Sequence, residues 1–285
     1  MFKKVKCNKC EHQYDETFDE CPKCHEKNEN LDSNFKNIQM ISFGKQIGLF
    51  ATGLFGFSLL GIIISVIISL FDTKSLDDVL LNMILNVVVY GIIFIILFAI
   101  VNIDIKKLFK SFKNWKPYVA GICCFFAILI AGVIYSLFLQ LIGVKITGNE
   151  NQQAIDSTSA KYPLTALVIF GLIGPICEEL TYRVGLFSFL KRISKWLAYP
   201  ITIIVFALIH FNFDPATLTN ELINLPYYLF AGFALTFTYD KFGFAGSLTA
   251  HVLNNVVSLI PMATILGVFH WWKTERIISL FLTLF

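Results

Sequence analysis

The sequence predicts an all-α fold, a polytopic transmembrane bundle of seven or eight helices behind a small N-terminal cysteine-rich module. Of the 285 residues, 56% are hydrophobic and 15% are charged, and the mean hydropathy is +0.67. Soluble domains have about a quarter of their residues charged, so this much apolar surface belongs in a bilayer. The module is predicted by two Cys-x-x-Cys pairs that precede the first apolar run.

Residues 1–30 contain the two cysteine pairs, with polar and charged residues around them. Two such pairs can close a tetrahedral four-thiolate site, and so short a segment could not fold on its own core. The pattern resembles the short zinc ribbons at the ends of many bacterial proteins, and it favours one structural Zn²⁺ over disulfides. Residues 31–46 are polar and are expected to form a flexible linker. The predicted zinc ligands are Cys7, Cys10, Cys21 and Cys24.

The transmembrane domain is expected to occupy residues 47–285, with three N-terminal spans in 47–144. A span needs about 20 predominantly apolar residues. A final run, 277–285, is too short by itself, although Trp271 and Trp272 could lengthen it into an eighth span. The seven predicted spans are 47–71, 79–101, 119–144, 164–190, 197–211, 227–239 and 242–268.

The charges of the loops predict how the bundle is oriented. Loops 106–116 and 191–195 are rich in lysine, whereas loops 72–78 and 214–221 carry aspartate and glutamate. Basic loops stay in the cytosol, and a reducing cytosol also suits thiolates that bind zinc. We therefore expect a multi-pass plasma-membrane protein with a cytosolic N-terminus. The net charge of +3 is too small to predict a nucleic-acid partner.

The fourth span contains two carboxylates and a guanidinium, which are costly inside a membrane without a partner or a task. Glu179 and Arg183 are four residues apart, share a helix face and can pair. Glu178 is turned about 100° away and is left to face something else. The alternative interpretation is a structural ion pair that locks two helices together.

Two histidines are the other ionisable residues inside the predicted spans. His210 follows Phe206 by four residues at the end of the fifth span, and His251 precedes Asn255 by four on the seventh. Each pattern alone is typical of an interfacial or interhelical hydrogen bond. Together with the glutamate pair, the two histidines indicate a catalytic site.

The motifs Glu-Glu-x-x-x-Arg, Phe-x-x-x-His and His-x-x-x-Asn, each on its own span, resemble the CPBP intramembrane proteases. That family comprises the type II CAAX prenyl endopeptidases and the bacterial bacteriocin-processing and immunity proteins. The resemblance covers residues 160–265 and omits the first three spans and the zinc ribbon. It implies an endopeptidase whose site is sunk in the membrane and whose substrate is a membrane-associated peptide or protein.

The residues permit amide hydrolysis by two mechanisms. In the first, Glu178 activates a water that His210 helps to hold, and His251 and Asn255 donate hydrogen bonds to the oxyanion. The acid–arginine pair would then fix the helix. In the second, Glu178, His210 and His251 bind a catalytic Zn²⁺. The His-Glu-x-x-His helix of common zinc proteases is absent, so we favour the first mechanism.

Two other functions remain open from the sequence. One is a non-proteolytic immunity or regulatory protein of the same fold. The other is a proton-coupled transporter, because buried acids and histidines suit a proton relay. No repeat of broken helices in matching halves supports a transporter. If the protein is a protease, we do not expect a prenylated substrate. We expect instead a peptide precursor, a signal-peptide remnant or a bacteriocin leader.

Overall fold

The computed structural model describes residues 3–71, 76–144 and 147–259, in which apolar helices form a bundle beside a small two-stranded module. The predicted fold class is confirmed. The helices are α1 (Phe43–Ser69), α2 (Asp78–Val101), α3 (Ile105–Leu108), α4 (Lys116–Leu141), α5 (Glu150–Lys161), α6 (Pro163–Lys191), α7 (Lys195–Leu208) and α8 (Leu218–Leu259).

Four of these helices, α1, α2, α4 and α6, are long and apolar enough to cross a membrane. They coincide with the first four predicted spans to within a few residues. The predicted fifth span is the shorter α7, and the sixth and the start of the seventh lie in α8. The rest of the seventh span (260–268), the run 277–285 with Trp271 and Trp272, and loop residues 72–75 lie outside the described residues.

Helix α8 is a hairpin of two helices that meet at Gly243. This residue has φ of 75° and ψ of −170°, a conformation that glycine adopts without steric cost. The Tyr227 hydroxyl in the first half donates to Asn254 Oδ1 in the second half, at 3.3 Å, so the halves run back alongside each other. Helix α4 packs closely on the second half, because a Cβ at Gly121 would lie 2.6 Å from the Gly246 carbonyl oxygen.

Helix α6 is the centre of the bundle. In an apolar stretch of 18 residues of α6, 56% of the residues are buried, against 6% in the corresponding stretch of α1, 22% in α2 and 28% in α4. Two stretches of α6 are π-helical, Leu167–Ile173 and Glu179–Phe187. Such wider turns change which side chains share a face, and they are frequent at functional sites. The glutamates lie where the second π-helical stretch begins.

The cysteine module, residues 3–30, is docked on one end of the bundle. Its strands β1 (Lys4–Lys6) and β2 (Gln13–Asp15) pair antiparallel. Asp15 at the end of β2 forms an ion pair with the buried Arg192, just beyond α6. Asp19 accepts a hydrogen bond of 2.7 Å from Lys110 in the loop before α4. The two predicted basic loops therefore lie at the same end of the bundle as the module.

Residues 31–46 pack against the bundle, which corrects the expectation of a flexible linker. Ile38, Met40 and Ile41 are buried in the core with residues of α1, α2 and α6. The Ile41 carbonyl accepts a hydrogen bond of 2.7 Å from the guanidinium of Arg192. A short apolar stretch within a polar segment is enough to fix it, because burial of each such side chain contributes about 1.5–3 kcal/mol.

Helix α5 lies at the opposite end of the bundle and was not predicted. Its N-cap Asn149 accepts a hydrogen bond from the Gln152 amide and donates to the His210 carbonyl at the end of α7. Near its C-terminus, Lys161 pairs with Asp77, the N-cap of α2, at 2.6 Å. Both ends of this polar helix are therefore tied to the ends of apolar helices.

Candidate active site

Three helices bring the predicted catalytic side chains together. Helix α6 contributes the acidic pair and the arginine, the turn after α7 contributes one histidine, and the second half of α8 contributes the other. The group lies between the middle of the bundle and the end that carries α5. Five of the six predicted residues form one contact group, and the sixth lines the adjoining cavity. The six are Glu178, Glu179, Arg183, His210, His251 and Asn255.

Glu179 is held in a buried network. Arg183 Nη1 lies 3.0 Å from Glu179 Oε1, so the predicted pair is present, and both side chains are 0% exposed. His251 Nδ1 lies 2.8 Å from the same oxygen, so its Nδ1–H donates to the carboxylate. The guanidinium of Arg183 also stacks on the Phe206 ring, 4.3 Å from its centroid. These contacts hold the Glu179 carboxylate inside the bundle, and it is not among the described residues that line the cavity.

Glu178 faces the two imidazoles instead. Its Oε2 lies 3.6 Å from His251 Nε2 and 3.9 Å from His210 Nε2. This oxygen is buried and accepts no hydrogen bond from the described residues. Both separations exceed hydrogen-bond length, so Glu178 Oε2 lies beside the two imidazoles without a direct hydrogen bond to either.

The tautomers of the two histidines follow from their other partners. His210 Nδ1 lies 2.9 Å from the Phe206 carbonyl oxygen, which can only accept, so Nδ1 carries the proton. His251 Nδ1 likewise donates to the Glu179 carboxylate. In the neutral imidazoles both Nε2 atoms are then acceptors directed at Glu178, a carboxylate that is also an acceptor. Three acceptors that converge in this way need a hydrogen-bond donor or a cation between them.

Asn255 contacts α6 and also lines the cavity. Its Nδ2 donates to the Phe170 carbonyl at 3.0 Å, in the first π-helical stretch of α6. A carboxamide nitrogen has two hydrogens, so a second N–H remains to serve an oxyanion in the cavity that Asn255 lines. His251 donates through Nδ1 to Glu179 and therefore has no second N–H while it is neutral.

Two residues that the sequence analysis missed support His210. The Tyr228 ring stacks on the imidazole with centroids 4.7 Å apart and planes at 20°. The Tyr228 hydroxyl donates to Asn149 Oδ1 at 3.2 Å, and Asn149 Nδ2 donates to the His210 carbonyl at 2.6 Å. The helix-start pattern Asn149-x-x-Gln152 is a capping signal that could have identified α5. Nothing in the sequence singles out Tyr228 among the 10 tyrosines.

A cavity of about 560 Å³ reaches the site. Its volume lies within the range of about 300–1,000 Å³ that is usual for ligand pockets. It is bounded by α1, α2 and α5 on one side and by Glu178, Tyr182 and His210 on the other. The candidate acid and histidine are therefore accessible to a ligand of several residues.

The four cysteines of the module form a second site. Cys7 Sγ lies 3.5 Å from Cys24 Sγ, and Cys10 Sγ lies 3.7 Å from Cys21 Sγ. All four sulfurs lie within 4.8 Å of one another and could hold a metal ion. A backbone hydrogen bond from Cys10 lowers the pKa of the Cys7 thiol to about 7, which favours the thiolate.

The fold and the site together define a helical membrane protein with two glutamates, an arginine and two histidines converging inside it. Residues 160–257 match the family model described as type II CAAX prenyl endopeptidase Rce1-like. The match includes all three motifs and confirms the resemblance to the CPBP intramembrane proteases. It does not extend to the cysteine module or to α1, α2 and α4.

Two curated relatives align with about half of this chain. A protein of Mycoplasma capricolum subsp. capricolum, described as uncharacterized, is 24% identical over 166 residues. The UPF0177 protein YvdC of Lactococcus lactis subsp. lactis is 26% identical over 151 residues. The alignments cover 54% and 52% of this chain and 47% and 54% of the relatives, so the chain spans about half the length of the curated relatives it matches. No solved structure matches this chain.

Proposed function

We propose that the protein is an intramembrane endopeptidase that hydrolyses a peptide bond of a membrane-associated peptide or protein. The observation that carries this proposal is the convergence of Glu178 Oε2 with Nε2 of His210 and of His251. A water molecule offers two O–H donors to these acceptors, and it is also the nucleophile of amide hydrolysis. The match of residues 160–257 to an endopeptidase family supports the same reaction class.

In the proposed reaction, Glu178 takes one proton from a water that His210 Nε2 holds by the other. The water oxygen forms a bond to the carbonyl carbon of the substrate, and the second N–H of Asn255 stabilises the resulting oxyanion. The proton on Glu178 then passes to the substrate nitrogen as the C–N bond breaks. The products are a new carboxyl terminus and a new amino terminus, and Glu178 returns to its starting state.

The metal-dependent alternative uses the same three side chains. A carboxylate with two histidines is a known set of ligands for catalytic zinc. At zinc–ligand distances of about 2.1 Å, tetrahedral geometry places ligand atoms about 3.4 Å apart. The distances of 3.6 and 3.9 Å from Glu178 to the two imidazoles are somewhat longer. This comparison, together with the absence of a His-Glu-x-x-His motif from the sequence, favours water held directly by Glu178 and His210.

For the cysteine module we propose one structural Zn²⁺. Tetrahedral zinc with Zn–S bonds of about 2.3 Å separates its sulfurs by about 3.8 Å. The separations of 3.5 and 3.7 Å between Cys7 and Cys24 and between Cys10 and Cys21 fit this value. They are far longer than a disulfide bond of about 2.05 Å.

Purified full-length protein is therefore expected to contain one equivalent of zinc, bound by thiolates of the module. Metal analysis by mass spectrometry checks this, with a Cys7→Ser/Cys24→Ser variant as the control that should lose the ion. Hydrolysis of a reporter peptide by this zinc-free variant should be insensitive to a strong chelator. Two disulfides in protein taken from cells would contradict the zinc site, and inhibition of the variant by the chelator would instead indicate an active-site metal.

We propose that the module end of the bundle faces the cytosol and that the α5 end faces outward, in the plasma membrane. Supporting observations are the lysines at the module end and the acidic residues at the other. A cysteine in place of the exposed Asp214 should react with an impermeant maleimide in intact cells. A cysteine in place of the exposed Lys113 should react only after lysis, with the wild-type chain as the background. The reverse pattern would overturn the orientation.

As substrates we propose bacterial peptide precursors, signal-peptide remnants or bacteriocin leaders. The matched relatives are bacterial, which favours this class over prenylated proteins. The test of the proposed function is cleavage of a reporter peptide by the purified protein. Its decisive variant is Glu178→Gln.

A further inference from the structure

The cavity at the candidate active site continues into a cleft between α1 and α2 whose shape is set by three glycines of α1. At Gly53, α1 touches α6 so closely that a Cβ would collide with the side chain of Thr181. At Gly56, a Cβ would lie 2.7 Å from Ile93 Cδ1 of α2. At Gly61, two turns after the first contact, nothing lies within 4 Å of a Cβ. Gly61 therefore leaves open space on the cleft wall, while Leu60 and Ile64 of α1 still pack on the core.

The cleft runs along α1 and α2 toward the end of the bundle opposite the cysteine module. On α2 the lining runs from Asn82 to Tyr90, which is about 12 Å along a helix axis. An extended polypeptide of three to four residues has the same length, at about 3.3 Å per residue. Helix α5 closes one side of the cleft through Asn151 and Ile155.

The walls of the cleft are apolar with uncharged polar groups at intervals. Leu54, Phe57, Leu85 and Val89 supply apolar surface, and Phe170 lies at the deep end. Within the described residues, Glu178 and His210 are the lining groups that carry charge or titrate near neutral pH. Both belong to the catalytic group. A charged substrate side chain in the outer part of the cleft would therefore meet no opposite charge, and desolvation would disfavour it.

Two carboxamides lie one turn apart on the α2 wall. Asn86 Nδ2 donates to the Asn82 carbonyl at 2.8 Å and to Asn82 Oδ1 at 3.0 Å. A carboxamide has two N–H donors and one carbonyl acceptor, which matches both hydrogen-bonding groups of a peptide backbone. Polar side chains within a membrane helix usually mark a substrate path or a contact between helices. Here both carboxamides line the cavity.

We propose that this cleft is the substrate subsite, and that it binds an extended, uncharged stretch of about three to four residues beside the scissile bond. Asn82 and Asn86 hydrogen-bond the substrate backbone, and the apolar walls receive its side chains. The inference rests on the proposed peptidase function. It places substrate selection on α1 and α2, which lie outside the part of the chain that matches the protease family.

The first test fills the cleft without disturbing the protein. A leucine at Gly61 occupies open space on the cleft wall, so Gly61→Leu should keep the wild-type melting temperature. Gly91→Leu is the matched control, because Gly91 also has open space and does not line the cleft. With a quenched reporter peptide selected on the wild-type protein from uncharged sequences, Gly61→Leu should lower kcat/KM by about tenfold or more. Gly91→Leu should leave it unchanged.

The second test concerns backbone recognition. Asn86→Leu should raise the KM for the same reporter by about fivefold with little change in kcat, because a hydrogen bond made equally to substrate and transition state is lost. Asn102→Leu, the same change at the exposed module end of α2, should have no effect. Lysine scanned along the reporter should be rejected at three or four consecutive positions on one side of the cut.

The outcomes distinguish failure of the proposed subsite from failure of the proposed peptidase function. Wild-type kcat/KM in both Gly61→Leu and Asn86→Leu, with hydrolysis still dependent on Glu178, would overturn the cleft alone. Acceptance of lysine at every reporter position would do the same. A wild-type protein that cleaves no reporter, or a Glu178→Gln protein that still cleaves, would overturn the proposed function and the subsite with it.

Discussion

Replacement of Glu178 by glutamine is expected to reduce peptide hydrolysis to background while the protein remains folded. Glutamine has nearly the same shape as glutamate, and Glu178 Oε2 accepts no hydrogen bond from the described residues, so little native structure depends on its charge. Glutamine cannot take the proton from water. The reaction should lose the whole contribution of its general base, typically about 10²–10⁴-fold. The measurement is turnover of the reporter peptide by purified variant protein.

Two comparisons make this result specific. Glu29→Gln removes the same charge from an exposed position in the module and should cleave at the wild-type rate. The melting temperature of Glu178→Gln should be within a few degrees of wild type, so that lost activity is not lost folding. A variant that cleaves normally would exclude Glu178 as the base. The non-proteolytic alternative would gain support if the variant also kept its biological role.

Removal of Arg183 should have the largest effect on stability. Arg183 and Glu179 are both 0% exposed and lie 3.0 Å apart in the centre of the bundle. Arg183→Ala leaves a buried carboxylate with His251 as its remaining neighbour on that oxygen, and it also removes the stack on Phe206. Breaking a buried pair in this way costs about 3–5 kcal/mol. Thermal unfolding in detergent should show a much lower midpoint, and expression should fall.

A double variant distinguishes the pair from simple loss of packing. Glu179→Gln/Arg183→Met replaces both charges by neutral groups of similar size, and the new carboxamide would still accept a hydrogen bond from His251. We expect this double variant to be more stable than either Arg183→Ala or Arg183→Met alone. The singles for comparison are Glu179→Gln and Arg183→Met. If the stability lost in the double variant equals the sum of the losses in these two, the positions are not energetically coupled.

Sequence patterns predicted the members of the site because charge is expensive in an apolar run. That cost singled out Glu178, Glu179 and Arg183, and four-residue spacing assigned the pair correctly. Nothing in the spacing could predict that His251 hydrogen-bonds Glu179 while its other nitrogen lies near Glu178, because that placement depends on how α8 crosses α6. Nor could it predict that Asn255 donates to the Phe170 carbonyl, since the π-helical geometry of α6 has no signature in the sequence.

Average polarity did not predict the structure of two other segments. Residues 31–46 are polar overall, yet Ile38 and Ile41 bury themselves in the bundle and fix the segment. Helix α5 has too few apolar residues for a helical period, and it is held mainly by its ends. In both cases a few specific contacts outweigh the composition of the segment, and only the tertiary structure reveals those contacts.

The ion pair between Asp15 and Arg192 has a consequence for the order of assembly during synthesis. The two residues are 177 positions apart in the chain. At about 5–20 residues per second, translation reaches Arg192 roughly 9–35 s after Asp15. The module therefore emerges first and can meet Lys110 early, but its ion pair with Arg192 can form only after α6 has been synthesised.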